Sequence, residues 1–193
     1  MNRLPLFPLK TVLFPGARLS LQIFEARYLD MLSACLREDA GFGVVGLLQG
    51  AEVAGGNLQF SAVGCEARIV DFERRDNGLL GITVEGQRRF IVREHGMAAN
   101  HLHQATVDWL TEEAPSPLQV EHTELAAILQ ALAEHPSVQE LGMPGVVGDQ
   151  QALSYALAYL LPLEQEHKLE LLTLTSARTR LARIEELVAW MQS

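Results

Sequence analysis

The chain has 193 residues, of which 48% are hydrophobic and 20% charged, a composition that sustains a packed core and excludes a disordered or low-complexity protein. Its net charge of −9 is unevenly spread: residues 1–110 hold 11 basic and 12 acidic side chains, whereas residues 111–193 hold 4 and 12. Binding to a phosphate backbone calls for a basic surplus on some face, so nucleic acid is not expected as a partner, least of all for the second half.

Met1 to Phe14 is apolar but broken by Pro5 and Pro8, and it lacks the basic start and unbroken apolar run of a signal peptide. No stretch approaches the roughly 18 uncharged apolar residues of a membrane helix, so the expected location is cytoplasmic, with no membrane partner. Arg18 to Ile23 alternates, with Leu19, Leu21 and Ile23 on one face, and predicts a strand. Phe24, Tyr28, Met31, Leu32, Cys35 and Leu36 share one face of a helix, which Gly41 stops. Short strands are predicted at Phe42–Leu48, Ala62–Phe72, Leu79–Glu85, Arg88–Arg93 and Leu102–Leu110. Asp76-Asn77-Gly78 marks a tight hairpin, because Asn and Gly accept positive φ.

Ala114-Pro115-Ser116-Pro117 ends this β-rich part. The remainder predicts helices at Leu118–Glu134 (stopped by His135-Pro136), Gln150–Leu161, Glu164–Leu174 and Ala177–Met191. Thr175 or Ser176 is placed to cap the last of these. A glycine-rich connection runs from Gly142 to Gly148. The expected fold is α+β: a barrel over 1–112 carrying one helix, then a helical bundle over 118–193.

Residues suited to catalysis are few. Neither Lys10 nor Lys168 follows a glycine as a phosphate-binding loop requires, and no G-x-G-x-x-G or G-x-S-x-G occurs. Lys168, four residues after Glu164, reads as a surface helix ion pair. Cys35 and Cys65 read as buried thiols in a reducing compartment. The one candidate metal group is His95, His101 and His103. The last two are two apart and would share a strand face, but no Cys, Asp or Glu cluster completes the set. Arg68, Arg74, Arg75, Arg88, Arg89 and Arg93 are nearly balanced by five acids between Glu66 and Arg93, which predicts cross-strand ion pairs on a solvated face. The residues therefore predict no catalytic residues, no metal ligands and no cofactor.

A longer pattern is more specific. Leu4-Pro5-Leu6-Phe7-Pro8-Leu9, Leu13-Phe14-Pro15-Gly16 and Ile23-Phe24-Glu25-Ala26-Arg27-Tyr28 resemble the opening of the N-terminal domain of Lon-type ATP-dependent proteases. The resemblance continues through Val63-Gly64-Cys65-Glu66-Ala67-Arg68-Ile69 and Gly86-Gln87-Arg88-Arg89-Phe90-Ile91. It reaches Leu161-Pro162-Leu163, Lys168 to Leu172 and Arg180-Leu181 in the helical half. His101-Leu102-His103 stands where that family often has an aromatic. The resemblance implies a PUA-like pseudobarrel followed by a helical bundle. It further implies recognition of substrate polypeptide without the ATPase and protease domains.

The expectation is a non-catalytic module for unfolded or extended polypeptide clients, acting alone or for a separate protease, with contact residues unassigned and homo-oligomers left open. The alternatives are a metal-dependent enzyme or small-molecule sensor built on His95–His103, and a PUA-like RNA binder. The proline and large apolar residues of the opening motif are expected to hold the fold, and Glu25 with Arg27 to form a partly buried pair at the helix start.

Overall fold

The computed structural model describes residues 2–52 and 58–193, in two compact units, Met1–Leu110 and Thr111–Ser193. Among the described residues the first holds six strands, β1 (Asn2–Leu9), β2 (Arg18–Ile23), β3 (Phe42–Glu52), β4 (Leu58–Arg74), β5 (Leu80–Met97) and β6 (His103–Trp109), with one helix, α1 (Ala26–Glu38). The sheet order is β2-β5-β4-β3-β1-β6, and an added β5–β6 pairing closes the last five strands into a ring. Strand β5 makes this possible by changing partners. Its first half, from Leu80 to Glu85, pairs with β2, and its second half, from Phe90 to Met97, pairs with β6.

Strand β1 divides its pairing in the same way. Asn2 to Pro5 run antiparallel to β6 and Leu6 to Leu9 parallel to β3, so the proline-bearing strand crosses between neighbours. That suits residues lacking an N–H donor. Its inward side chains join one core cluster of Leu4, Leu6, Val45, Phe90, Ala105 and Val107. Phe14 is fully buried, and Gly16 (φ 77°) and Gly86 clasp the segment after it, with Gly16 N donating to Gly86 O at 2.8 Å and Gly86 N to Ala17 O at 2.8 Å. A Cβ on Gly86 would lie 2.1 Å from the Phe14 carbonyl oxygen, so only glycine allows this approach. The opening motif is thus largely structural.

Two expectations for this unit need correction. The strands predicted at Leu79–Glu85 and Arg88–Arg93 are one continuous β5. Gly86 and Gln87 do not interrupt it, because the register shift against β4 absorbs an extra residue there. The apolar stripe of α1 is also narrower than predicted. Tyr28, Met31, Leu32 and Cys35 are buried, while Leu36 is exposed, since the helix turns only one narrow face to the barrel, and Phe24 lies before the helix start and is exposed. Tyr28 docks edge-on to Phe7 at 4.0 Å. The hairpin at Asp76–Gly78 forms as predicted, with Gly78 at φ 80° and Asn77 Oδ1 accepting from Leu79 N at 3.0 Å.

The second unit is helical: α2 (Thr123–Ala133) after a 3-10 turn at Val120–His122, α3 (Pro136–Leu141), α4 (Gln150–Leu160), α5 (Gln165–Thr173) and α6 (Ala177–Gln192). Helix α3 was not predicted. His135-Pro136, read as a stop, also starts a new helix: proline suits the first helical position, and His135 Nδ1 accepts from Ser137 N at 3.3 Å. Ser176 occupies the cap position of α6 but its side chain makes no cap bond, and the Ala177 N–H is taken at 3.1 Å by Glu113, 64 residues earlier.

Candidate functional site

Among the described residues, β2 pairs only with β5, leaving its outer backbone edge open. Such an edge presents a row of unmet N–H and C=O groups, a template for an added strand. Ile23, the last residue of β2, pairs with Leu80, which pairs in turn with Arg74. The same end of the sheet therefore carries Phe24 (69% exposed) and Phe72 (65% exposed). Two large apolar side chains held in water near an unpaired strand suit an extended apolar segment better than a charged small molecule.

A cleft of about 530 Å³ opens elsewhere in this unit. Met31, Ala34, Cys35 and Glu38 of α1 line one wall, Arg3, Leu4 and Pro5 of β1 another, with Leu102 and Gln104 at the start of β6 and Glu66, Arg68 and Arg88 from β4 and β5. Glu66 is the buried charged group among these, its side chain 6% exposed, and its Oε2 accepts from Arg88 Nε at 2.9 Å. The register shift positions that pair: Cys65 lies opposite Arg89 and Ala67 opposite Gly86, so the extra β5 residue brings Arg88 to Glu66. Arg88 also lies over the Trp109 ring at 3.5 Å. Arg68 donates to the Asp39 backbone oxygen at 3.0 Å and to Asp39 Oδ1 at 3.2 Å. Arg3 donates to Gln104 Oε1 at 3.0 Å. Cys35 lines the cleft with its thiol held up from the ordinary range by burial, so it is poorly suited to act as a nucleophile.

The histidine group does not assemble as a metal site. His101 stands in the turn before β6 at φ 63°, so it does not share a strand face with His103. His95 packs on Phe60 at 4.9 Å and His103 meets the same ring at 5.7 Å, while His101 holds Arg27 through its backbone oxygen at 3.0 Å. His103 is buried, and its pKa is lowered chiefly by that burial, then by repulsion from Arg27 and His95. Among the described residues, no group of three or more His, Cys, Asp or Glu could hold a metal ion. Glu25 and Arg27 do form the expected half-exposed pair, at 2.8 Å.

The arginine-rich segment forms the expected cross-strand pairs at Arg88 and Arg93, the latter at 2.7 Å from Asp108, whereas Arg68 pairs instead with Asp39 at the end of α1. Arg89 departs from the expected solvated face: it is fully buried, because its partner across the shift, Cys65, faces the interior. In the second unit Arg180 is likewise fully buried. It donates to Leu171 O at 3.1 Å, to Ser154 Oγ at 2.8 Å and to the Tyr155 hydroxyl at 3.2 Å, and lies over the Tyr155 ring at 4.0 Å. The Tyr155 hydroxyl donates in turn to Glu112 at 2.7 Å. Lys168 does not make the predicted surface pair with Glu164. Its ammonium turns inward to the Tyr159 carbonyl, and burial lowers its pKa; the same burial pushes the Tyr159 hydroxyl up to about 12. Little in the local sequence pattern points to the cleft. Its one local signal was Glu66 and Arg68, two apart on a strand and so on one face.

A strand ring with one appended edge strand and a helical second unit is the architecture of Lon N-terminal domains. The fold matches a solved Lon N-terminal domain protein from Xanthomonas campestris with a TM-score of 0.77 and 34% identity, covering 98% of this chain and 99% of that one. It also matches the N-terminal domain of a Mycobacterium avium complex Lon protease, with a TM-score of 0.67 and 16% identity over 100% of this chain and 99% of that one, a likeness of fold alone. The family model for the ATP-dependent protease La (LON) substrate-binding domain matches residues 3–189, and the chain belongs to that family. It is 31% identical over 131 residues to Lon protease 2 of Myxococcus xanthus, a match covering 67% of this chain and 16% of that protein. The matched region is thus a small part of that relative, and the family model is that of the substrate-binding domain. No helix among the described residues is long and apolar enough to cross a membrane.

Proposed function

We propose that this chain is a non-catalytic recognition module that binds unfolded or extended polypeptide in the cytoplasm. Family membership over residues 3–189 carries this reading. The geometry supports it with the open edge of β2 and the exposed Phe24 and Phe72, which offer backbone pairing and apolar contact without a cofactor. Arginines held by acids on the barrel leave little basic surface for RNA. A separate protease that receives the bound client is the partner this role calls for.

The test is fluorescence anisotropy of a labelled, permanently unfolded polypeptide titrated with the full chain, with its folded counterpart as control. Saturable binding of the unfolded form alone is the expected result. Equal binding of both forms, or none into the high micromolar range, overturns the reading.

A further inference from the structure

Resting on that reading, we infer that the cleft beside α1 is a contact site for the client, and that it grips one stretch of extended backbone by hydrogen bonds while its walls take an apolar side chain. The cleft floor is built and held in place. Glu66 lies buried between two guanidinium groups, with Oε2 engaged by Arg88 at 2.9 Å and Oε1 4.0 Å from Arg68 Nε. Trp109 beneath Arg88 and Asp39 beside Arg68 fix both guanidinium planes, so ordering them costs a ligand little. Gly41 lets the chain leaving α1 pass close by, since a Cβ there would stand 2.8 Å from Glu66 Oε1.

Charge decides what this floor recognises. Three arginines (Arg3, Arg68, Arg88) and three acids (Glu38, Asp39, Glu66) line the cleft, so it has no formal net charge to attract a free anion or cation. What remains is a pattern: N–H donors left over on Arg68 and Arg88, flanking the Glu66 carboxylate. One edge of an extended polypeptide presents the complement, a carbonyl, an N–H and a carbonyl from alternate residues. Leu4, Met31 and Leu102 supply the apolar wall for the side chain between them. At about 530 Å³ the cleft falls within the roughly 300–1,000 Å³ range of ligand sites.

The experiment repeats the anisotropy titration with Ala34→Trp, which fills the cleft from α1 without touching an ion pair, and with Glu66→Gln, which keeps shape but alters the floor. Circular dichroism and thermal melting of each variant establish that it is folded, and either variant alone suffices if the other is not. At least about a ten-fold weakening in the folded variants is expected. Wild-type affinity is expected to change less than about two-fold between roughly 50 and 500 mM salt, because the ligand is neutral. Unchanged affinity in both folded variants overturns the cleft as the site while leaving polypeptide recognition intact, and attention then passes to the β2 edge. A steep loss of affinity with salt overturns the neutral-backbone assignment. Absence of wild-type binding defeats the underlying reading and this inference together.

Discussion

Among the described residues both units bury charged side chains, Arg89 and Glu66 in the barrel and Arg180 in the helices, and Glu66 and Arg180 are held in opposite ways. In the helical unit Arg180 is fully enclosed and its donors are spent on Leu171, Leu174, Ser154 and Tyr155. In the barrel unit Glu66 is nearly as buried, yet the arginines beside it are 41% and 52% exposed and keep donors unspent toward a cleft. A saturated buried charge fixes neighbouring segments in one arrangement, because any other leaves polar groups orphaned. A charge set saturated on one side only is stable enough to persist and still able to bond a visitor. The helical unit therefore spends its buried charge on holding itself together, and the barrel unit spends part of its own on a surface.

The sharpest way to break this contrast is Arg180→Met. It removes the Arg180 donors to the Leu171 and Leu174 carbonyls and the Ser154 hydroxyl and is expected to cost about 3–5 kcal/mol, or a melting temperature lower by roughly 10 °C, read by circular dichroism. A neutral result would show that the network is incidental. Next in size is Glu113→Ala. It removes the acceptor for the Ala177 N–H at the start of α6 and is expected to cost about 1 kcal/mol in denaturant unfolding.

The smallest effect belongs to the barrel and depends on pH. Because the folded state holds His103 below its ordinary 6.5, the unfolded chain takes up the proton first as pH falls. Stability contributed by the neutral ring is present above that value and is lost as pH drops below it, toward the lower folded value. His103→Gln is expected to flatten the fall in melting temperature between about pH 7 and pH 5, and parallel curves for the two proteins would exclude His103 as a cause.

Much of the architecture was readable in the sequence because local chemistry and tertiary demand agree there. Arg18–Ile23 alternates and forms β2 over those same residues, and Asn77-Gly78 turns where positive φ is needed. One element was misread because its residues have two local meanings, since His135-Pro136 both ends one helix and starts another, and β5 was split in two because a register shift leaves no local mark. The cleft and the buried arginines were not readable, since their partners come from far along the chain. Glu66 meets Arg88 only because a register shift brings them together, and Arg180 is enclosed by residues of α4 and by the end of α5. An arginine on a helix has the same local signature whether it faces water or a core, as Arg180 and the half-exposed Arg183 show three residues apart.

The handover of β1 from β6 to β3 bears on how the chain acquires its fold. Asn2 to Pro5 find their partners at Gln104 to Val107, about a hundred residues away, whereas Leu6 to Leu9 pair with Gly43 to Gly46. Contacts of such long sequence separation are slow to form, because loop closure must precede any reward. A nascent chain could therefore pair the second half of its first strand early, but the ring cannot close until residue 109 is available. Until then the apolar side chains destined for its core stay in contact with water.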